Sequence, residues 1–316
     1  MAKIIAELCQ NHNGDKNLLN EMIWAASESG ADFVKIQSIN AEDLTFRERF
    51  ENGVVENGIQ KVIKRPYRSE YERLKKLELS DKDHWFFIEQ CQKAGVIPLT
   101  TCFTKNSVEY LSKFPWKTIK IASYDCGSIP LIKLISEKFE HLIISTGATF
   151  DNEIESTVNY LNSINKKFTL LHCITVYPTP LNETNLNRIN YLKKLSPDVG
   201  FSDHSLVEKD GIKASIAALA FGADIIERHF TILKKDESKD GPVSINPQLL
   251  KELSEFAKMK LMDLRILVNE LVPEFKQMFG EEFRELSQIE LLNRDYYRGR
   301  FASVNNGKYT YNWEED

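Results

Sequence analysis

This sequence is poor in the features that would suggest a disulfide framework, a zinc ribbon or a membrane span. Its five cysteines, Cys9, Cys91, Cys102, Cys126 and Cys173, are odd in number and widely spaced, and no CxxC pair occurs. Most of them lie in apolar, strand-like runs, where a free thiol packs as a small hydrophobe. No apolar run reaches the length a bilayer requires. The opening stretch MAKIIAELCQNHNG turns polar too early for a secretory core, which reads as a reducing, cytoplasmic setting. Basic blocks are missing too. A net charge of −5 leaves no electrostatic footprint for nucleic acid or an anionic membrane, so an anionic ligand must be met by a local cluster of positive charge. No glycine-rich fingerprint follows the first strand, which argues against a doubly wound dinucleotide fold.

What is present is a soluble globular composition, 42% hydrophobic and 28% charged over 316 residues. Eight apolar runs of strand length recur: KIIAELC (3–9), FVKIQS (33–38), VIPLTTCF (96–103), TIKIAS (118–123), HLIISTG (141–147), FTLLHCI (168–174), VGFSDHS (199–205) and DIIERHF (224–230). Helix-length amphipathic stretches such as NLLNEMIWAASESG and NEIESTVNYLNSI lie between most of them. Eight strands alternating with helices over roughly 250 residues is the cadence of a (β/α)8 barrel. Residues 41–80 break that rhythm with a charged, aromatic excursion that reads either as a lid or as a plain surface insertion. Beyond residue 245, NPQLLKELSEFAKMKLMDLRILVNEL reads as one closing amphipathic helix. The expected division is a barrel over 1–270 and an extension over 271–316, whose NNG is hairpin-like.

On a barrel, catalytic groups belong at the C-terminal ends of the strands, where alternate residues face the mouth. Polar residues interrupt the runs there. Glu7 breaks the first run, and Lys35 and Gln37 share a face of the second at i, i+2. The third ends near Thr101, the fourth carries Lys120 with Ser123 and Asp125 behind it, and the fifth ends at Ser145. The sixth brings His172 and then Tyr177; the seventh pairs Ser202 with His204, the eighth Glu227 with His229. A buried ammonium is costly without an anion. Lys35 and Lys120 therefore point to a small phosphate- or carboxylate-bearing ligand, with Thr101, Ser123, Ser145 and Ser202 as neutral donors. His204 and His229, at equivalent depth on adjacent strands, can converge on one divalent cation. Glu7 and Asp125 are either general bases or partners of the lysines in interior ion pairs. His12 and His172 suit hydrogen-bonding or packing roles, while His84 and His141 read as structural or surface residues.

At these residues the chain resembles the sialic acid synthase family, the phosphoenolpyruvate-dependent synthases of nine-carbon sugar acids. AELCQNHNGD, VKIQ, TCF, KIAS, ISTG, LLHCITVYPTP, VGFSDHS, IERHF and DGPVSINP follow one another in family order over residues 3–250. The resemblance implies an α/β fold, a (β/α)8 TIM barrel, here with a short C-terminal helical and hairpin-like tail. It implies that Lys35, Thr101, Lys120, Ser123, Ser145 and Ser202 hold phosphoenolpyruvate and that His204 and His229 hold a manganese or magnesium ion. It further implies that Glu7 serves as acid/base near the reacting carbons, and that Gln37, Tyr177 and Asp240 line the metal and sugar site. The implied reaction is attack of the C3 of phosphoenolpyruvate on the aldehyde of an open-chain N-acetylated hexosamine, followed by water addition at C2 and loss of phosphate. Phosphoenolpyruvate and an amino sugar are the expected partners, and a homodimer the expected assembly.

The departures from the family pattern fall on the sugar side. Asp125 stands where the family usually carries Glu, with Gly127 and Ser128 in place of a polar pair. Thr175, counted among the sugar-site residues, stands where Asn is frequent, and loop 48–71 offers KRPYRSEY where a sugar-contacting Asn is expected. Family members normally continue into an antifreeze-like domain whose Arg reaches the partner's sugar; here Arg298 or Arg300 are the candidates for that role. Two other functions fit the same barrel: a metal-dependent pyruvate aldolase or lyase, and a non-catalytic homologue acting as a binding subunit.

Overall fold

The structure is a computed structural model that describes residues 1–315. All eight apolar runs form strands, which we number β1 (Lys3–Cys9), β2 (Phe33–Gln37), β3 (Ile97–Cys102), β4 (Thr118–Ile121), β5 (His141–Ser145), β6 (Lys167–His172), β7 (Val199–Asp203) and β8 (Ile225–His229). They close into a parallel barrel in the order β1-β8-β7-β6-β5-β4-β3-β2, with helices between them. The (β/α)8 reading therefore holds. From β2 to β8 the strands end one or two residues before their runs do, where the chain passes into the mouth loops, while β1 ends with its run at Cys9.

Side-chain alternation sorts each strand into an inner and an outer face. Ile5, Phe33, Leu99, Ile143, Leu171 and Ile225 meet inside and form a separate apolar layer that fills the barrel. Gly200 on β7 faces this layer: a Cβ there would come within 2.5 Å of the Leu171 side chain and closer still to the Ile225 carbonyl, so only glycine fits. The outer faces pack against the helices in one continuous core.

Between β7 and β8 the outer face carries a charge pair. Arg228 and Asp203 are ion-paired, and neither side chain is exposed. Asp203 also accepts from Ser215 Oγ at 2.6 Å and Ser205 N at 2.8 Å, and Arg228 donates to Ser205 Oγ, Ser205 O and Gly211 O. This network is nearly fully satisfied, which is the condition under which a buried pair is tolerated.

One expectation fails. The closing helix is two helices, Pro247–Lys258 and Leu261–Leu271, separated at Met259 and Lys260, both extended (ψ 152° and 139°). The break has no Pro or Gly in it. It lets the second helix turn to pack on Lys213–Ala220, burying Leu264 and Val268, where a straight helix would run past the barrel.

The excursion after β2 folds into short elements, including a hairpin (Val54–Glu56, Ile59–Val62) and the helix Tyr67–Lys75. It clasps the C-terminal segment. Thr45 N donates to Arg300 O and Ala302 N to Asp43 O, Arg47 reaches the carbonyls of Asp295 and Tyr296, and Arg300 pairs with Glu70. The C-terminal segment itself contains the helix Gln288–Tyr297 and the hairpin Ser303–Asn305/Lys308–Thr310, turned at Asn306 and Gly307 with φ 51° and 75°, as its NNG suggests. Together the two segments roof the barrel mouth.

Replacing Arg228 by Leu leaves Asp203 buried without its counter-ion and should lower unfolding free energy by about 3–5 kcal/mol in urea melts. Arg228→Leu combined with Asp203→Leu should recover much of that loss; a double variant as unstable as the single one contradicts this assignment.

Candidate active site

The inward residues one step above the apolar layer are charged. Glu7 pairs in register with Lys35 across β1 and β2, Lys120 with Thr101 across β4 and β3, and Glu227 with Ser202 across β8 and β7. Lys35 is ion-paired with Glu7, lies 3.5 Å from Glu227 Oε2, and donates to Thr101 Oγ1 at 3.4 Å. Burial lowers its pKa to about 8, against the pull of Glu227 and with the push of Lys120. Glu227 is buried, yet Lys120 and Lys35 hold its carboxyl down at about 2, and its Oε1 accepts from Ser202 Oγ at 2.7 Å. Of the two roles open to Glu7 from the sequence, the interior ion pair with Lys35 is formed.

Lys120 is different. It is 3% exposed and donates to Ser145 Oγ at 2.6 Å and to the Ile121 carbonyl at 3.2 Å. Among the described residues no acidic side chain pairs with it. Its charge is met through space by Glu227, so Lys120, Lys35, Glu7 and Glu227 form one buried charged cluster in a mouth lined by Thr101, Ser145 and Ser202.

His204 and His229 stand side by side, ring centroids 5.6 Å apart. His204 Nδ1 faces the Ile174 carbonyl at 3.2 Å, and its Nε2 faces Tyr177 OH at 3.1 Å and Ser202 Oγ at 3.4 Å. Burial and the neighbouring His229 hold its pKa at about 3, and burial lowers that of His229 also, so both rings are neutral near pH 7. His229 Nδ1 is buried without a hydrogen-bond partner. Its surroundings contain one residue that the sequence reading missed, Cys9: ligand atoms of Cys9, His229 and Asp240 lie within 4.8 Å of one another, a set that could hold a metal ion. His204 adjoins this set without belonging to it. Cys9 escaped notice because it ends an apolar run, where a thiol reads as packing.

Asp125 sits apart from the lysines, on the short turn after β4. Its Oδ1 accepts from Ser128 Oγ at 3.1 Å and from Asn312 Nδ2 at 2.9 Å. Burial raises its pKa from 3.8 to about 6. The interior ion pair expected as one of its two possible roles is thus formed by Glu7 and not by Asp125. Ser123, on the same turn, faces Thr149 through its carbonyl. Gln37 joins a chain in which Gln10 Nε2 donates to Gln37 Oε1 at 2.9 Å and Arg73 donates to Gln10 Oε1. Thr175 is fully buried and its carbonyl accepts from Asn293 Nδ2 at 2.7 Å; Tyr177 lies over His204 with ring centroids 4.1 Å apart. Asn312, Asn293 and Arg73 come from the roof, too far along the chain for strand-end reasoning to find. His12, His84, His141 and His172 have local partners: Gly14 N, Ser38, Thr169 and the Thr184 carbonyl. His84, which the sequence left open between structural and surface roles, is buried.

The profile of the NeuB family matches residues 22–262. The chain belongs to the NeuB family. It is 38% identical over 262 residues to N,N'-diacetyllegionaminic acid synthase of Campylobacter jejuni, covering 79% of this chain and 73% of that protein. It is 30% identical to the pseudaminic acid synthase of the same species, over 95% of this chain and 81% of the relative. Among solved structures, the N-acetylneuraminic acid synthetase of Leptospira borgpetersenii, crystallised with citrate, superposes with a TM-score of 0.70 at 28% identity, covering 93% and 90% of the two chains. This NeuB protein is therefore an enzyme of the condensing transferase class, built on the barrel that the sequence implied.

Because the folded-state pKa of Asp125 exceeds its ordinary value, the folded protein binds this proton more tightly than the unfolded chain. Its contribution is complete below pH 3.8 and is lost as pH rises towards about 6, with no further change above. Asp125→Asn should remove that slope. Urea-derived stabilities of the two proteins should diverge across this window, and parallel curves would show that Asp125 ionises normally.

Proposed function

We propose that this protein is a phosphoenolpyruvate-dependent synthase that condenses an open-chain N-acetylated amino sugar with the enol to give a nine-carbon 2-keto-3-deoxy sugar acid and phosphate. The observation that carries this reading is the pair of buried ammonium groups in one mouth, Lys120 bonded to the Ser145 hydroxyl and the Ile121 carbonyl and Lys35 bonded to Thr101. A small ligand with both a carboxylate and a phosphate complements two such cations and the hydroxyls beside them. The names of the relatives support the sugar half, since those proteins are synthases of amino-sugar acids.

In this reading Lys120, Lys35 and the hydroxyls of Thr101, Ser123, Ser145 and Ser202 bind and orient phosphoenolpyruvate at the bottom of the mouth. Its C3 faces upward, towards an acceptor lodged among Gln37, Thr175, Tyr177 and Asp240. Attack of C3 on the acceptor aldehyde makes the new carbon–carbon bond. Water then adds at C2 and the C–O bond to phosphate opens, so carbon, oxygen and charge balance without an oxidant or reductant. Glu7, held by Lys35 and by Cys9 N at 2.5 Å, is the group placed to move a proton near the reacting carbons. Asp125, with its raised pKa, can exchange a proton near neutral pH on the opposite wall.

The unpartnered His229 nitrogen and the neutral His204 ring fit a divalent cation, with Asp240 adjacent. When bound, such a divalent cation would polarise the acceptor aldehyde as a Lewis acid.

Phosphate release from phosphoenolpyruvate should require one N-acetylated hexose from a panel and should fall by about 10²-fold or more in His229→Ala. Release without any sugar, or unaffected by His229→Ala, contradicts the proposal. Lys35 carries charge below about pH 8 and loses it above. The KM for phosphoenolpyruvate should therefore rise with pH through that value, and Lys35→Arg should flatten the rise.

A further inference from the structure

We propose that Cys9 is a thiolate ligand of the divalent cation, forming with His229 and Asp240 a softer site than two histidines and water would make. The inference rests on the reading of this mouth as metal-bearing, and deepens it.

Three observations converge. The Cys9 sulfur, an Asp240 oxygen and a His229 nitrogen lie within 4.8 Å of one another, close enough to share one ion. His229, a member of that set only 8% exposed, also carries a buried ring nitrogen, Nδ1, with no hydrogen-bond partner. Leaving an imidazole nitrogen buried and unpaired costs free energy unless something else occupies it. The third observation is the backbone. Cys9 adopts φ +50°, in the left-handed region that side chains other than Asn and Gly rarely enter. Among the described residues seven non-glycine positions have positive φ; five are asparagine, and only Cys9 and Ala148 lack an amide to ease the conformation. The register of β1 against β2 also shifts between Glu7 and Cys9, and the Cys9 N–H is tied to Glu7 Oε1 at 2.5 Å. A bulge and a strained residue at the end of the first barrel strand thus turn the thiol to the same side as His229. Strain of this kind persists where function holds it.

The chemistry follows from ligand softness. Thiolate with imidazole and carboxylate favours zinc, cobalt or ferrous iron over magnesium, which prefers an all-oxygen shell. On loading, the metal–sulfur bond forms as the S–H bond breaks, the electron pair stays on sulfur and the proton leaves to solvent. The other four cysteines are buried elsewhere and do not belong to this set.

The test uses cobalt as the probe. Metal-free full-length protein is titrated with Co²⁺ and followed in the near-ultraviolet for a sulfur-to-cobalt charge-transfer band, beside Cys9→Gly, which suits the φ of the position and should fold. The expected result is one Co²⁺ per chain with the band, and in Cys9→Gly no band, a Co²⁺ affinity weaker by about tenfold or more, and an unchanged circular dichroism spectrum. Wild-type protein that binds no Co²⁺ or binds it without the band, or Cys9→Gly that keeps the band, overturns the assignment. Phosphate release separates this from the synthase reading. A band lost in Cys9→Gly with no sugar giving phosphate leaves the ligand and removes the reaction; sugar-dependent release without a band does the reverse.

Discussion

The ammonium of Lys120 is the constraint around which the mouth of this barrel is arranged. Its strand is four residues long and every residue in it is buried, so the side chain has no route to solvent and must be accommodated inside. The fold supplies hydroxyl and carbonyl oxygens to it and sends the available carboxylates elsewhere: Glu7 to Lys35, and Glu227 to Lys35 and Ser202. The result is a mouth in which two carboxylates and two ammonium groups hold one another, with Lys120 the member whose direct contacts are neutral. Barrel geometry makes this possible because parallel strands with a two-residue period bring one inward residue from each neighbour to the same height.

The same period separates function from stability along a single strand. On β8, Glu227 and His229 face the mouth while Arg228 between them anchors the outer face through Asp203. On β7, Ser202 and the residue after the strand, His204, face in, and Asp203 faces out. Changes on the two faces should therefore act differently, one on binding and the other on the cohesion of strands with helices.

Much of this is legible in the sequence, and for a definite reason. Apolar runs of six to eight residues interrupted near their ends by Lys, Glu, Ser or His have few explanations other than barrel strands with a polar mouth. The i, i+2 spacing of Lys35 with Gln37, Ser202 with His204 and Glu227 with His229 is enough to put each pair on one face of its strand. What escapes shares a different property. Asn312 reaches Asp125 across 187 residues, Arg73 reaches Gln10 from the excursion, and the kink at Met259 has no breaker residue to announce it. Cys9 is hidden by its own ambiguity, since a thiol at the end of an apolar run looks like packing until its backbone conformation and its neighbours are known. The partner of Lys35 stays open for a related reason: sequence shows which strands carry charges but not which of them pair.

The central claim is that the mouth is an anion site completed by its ligand at Lys120. Calorimetric titration of phosphoenolpyruvate onto the wild-type protein and onto Lys120→Met, without sugar, tests it most directly. The account predicts binding to the wild type and a loss of about 100-fold or more in Lys120→Met, with an unchanged circular dichroism spectrum. Equal affinity in the two proteins would contradict it.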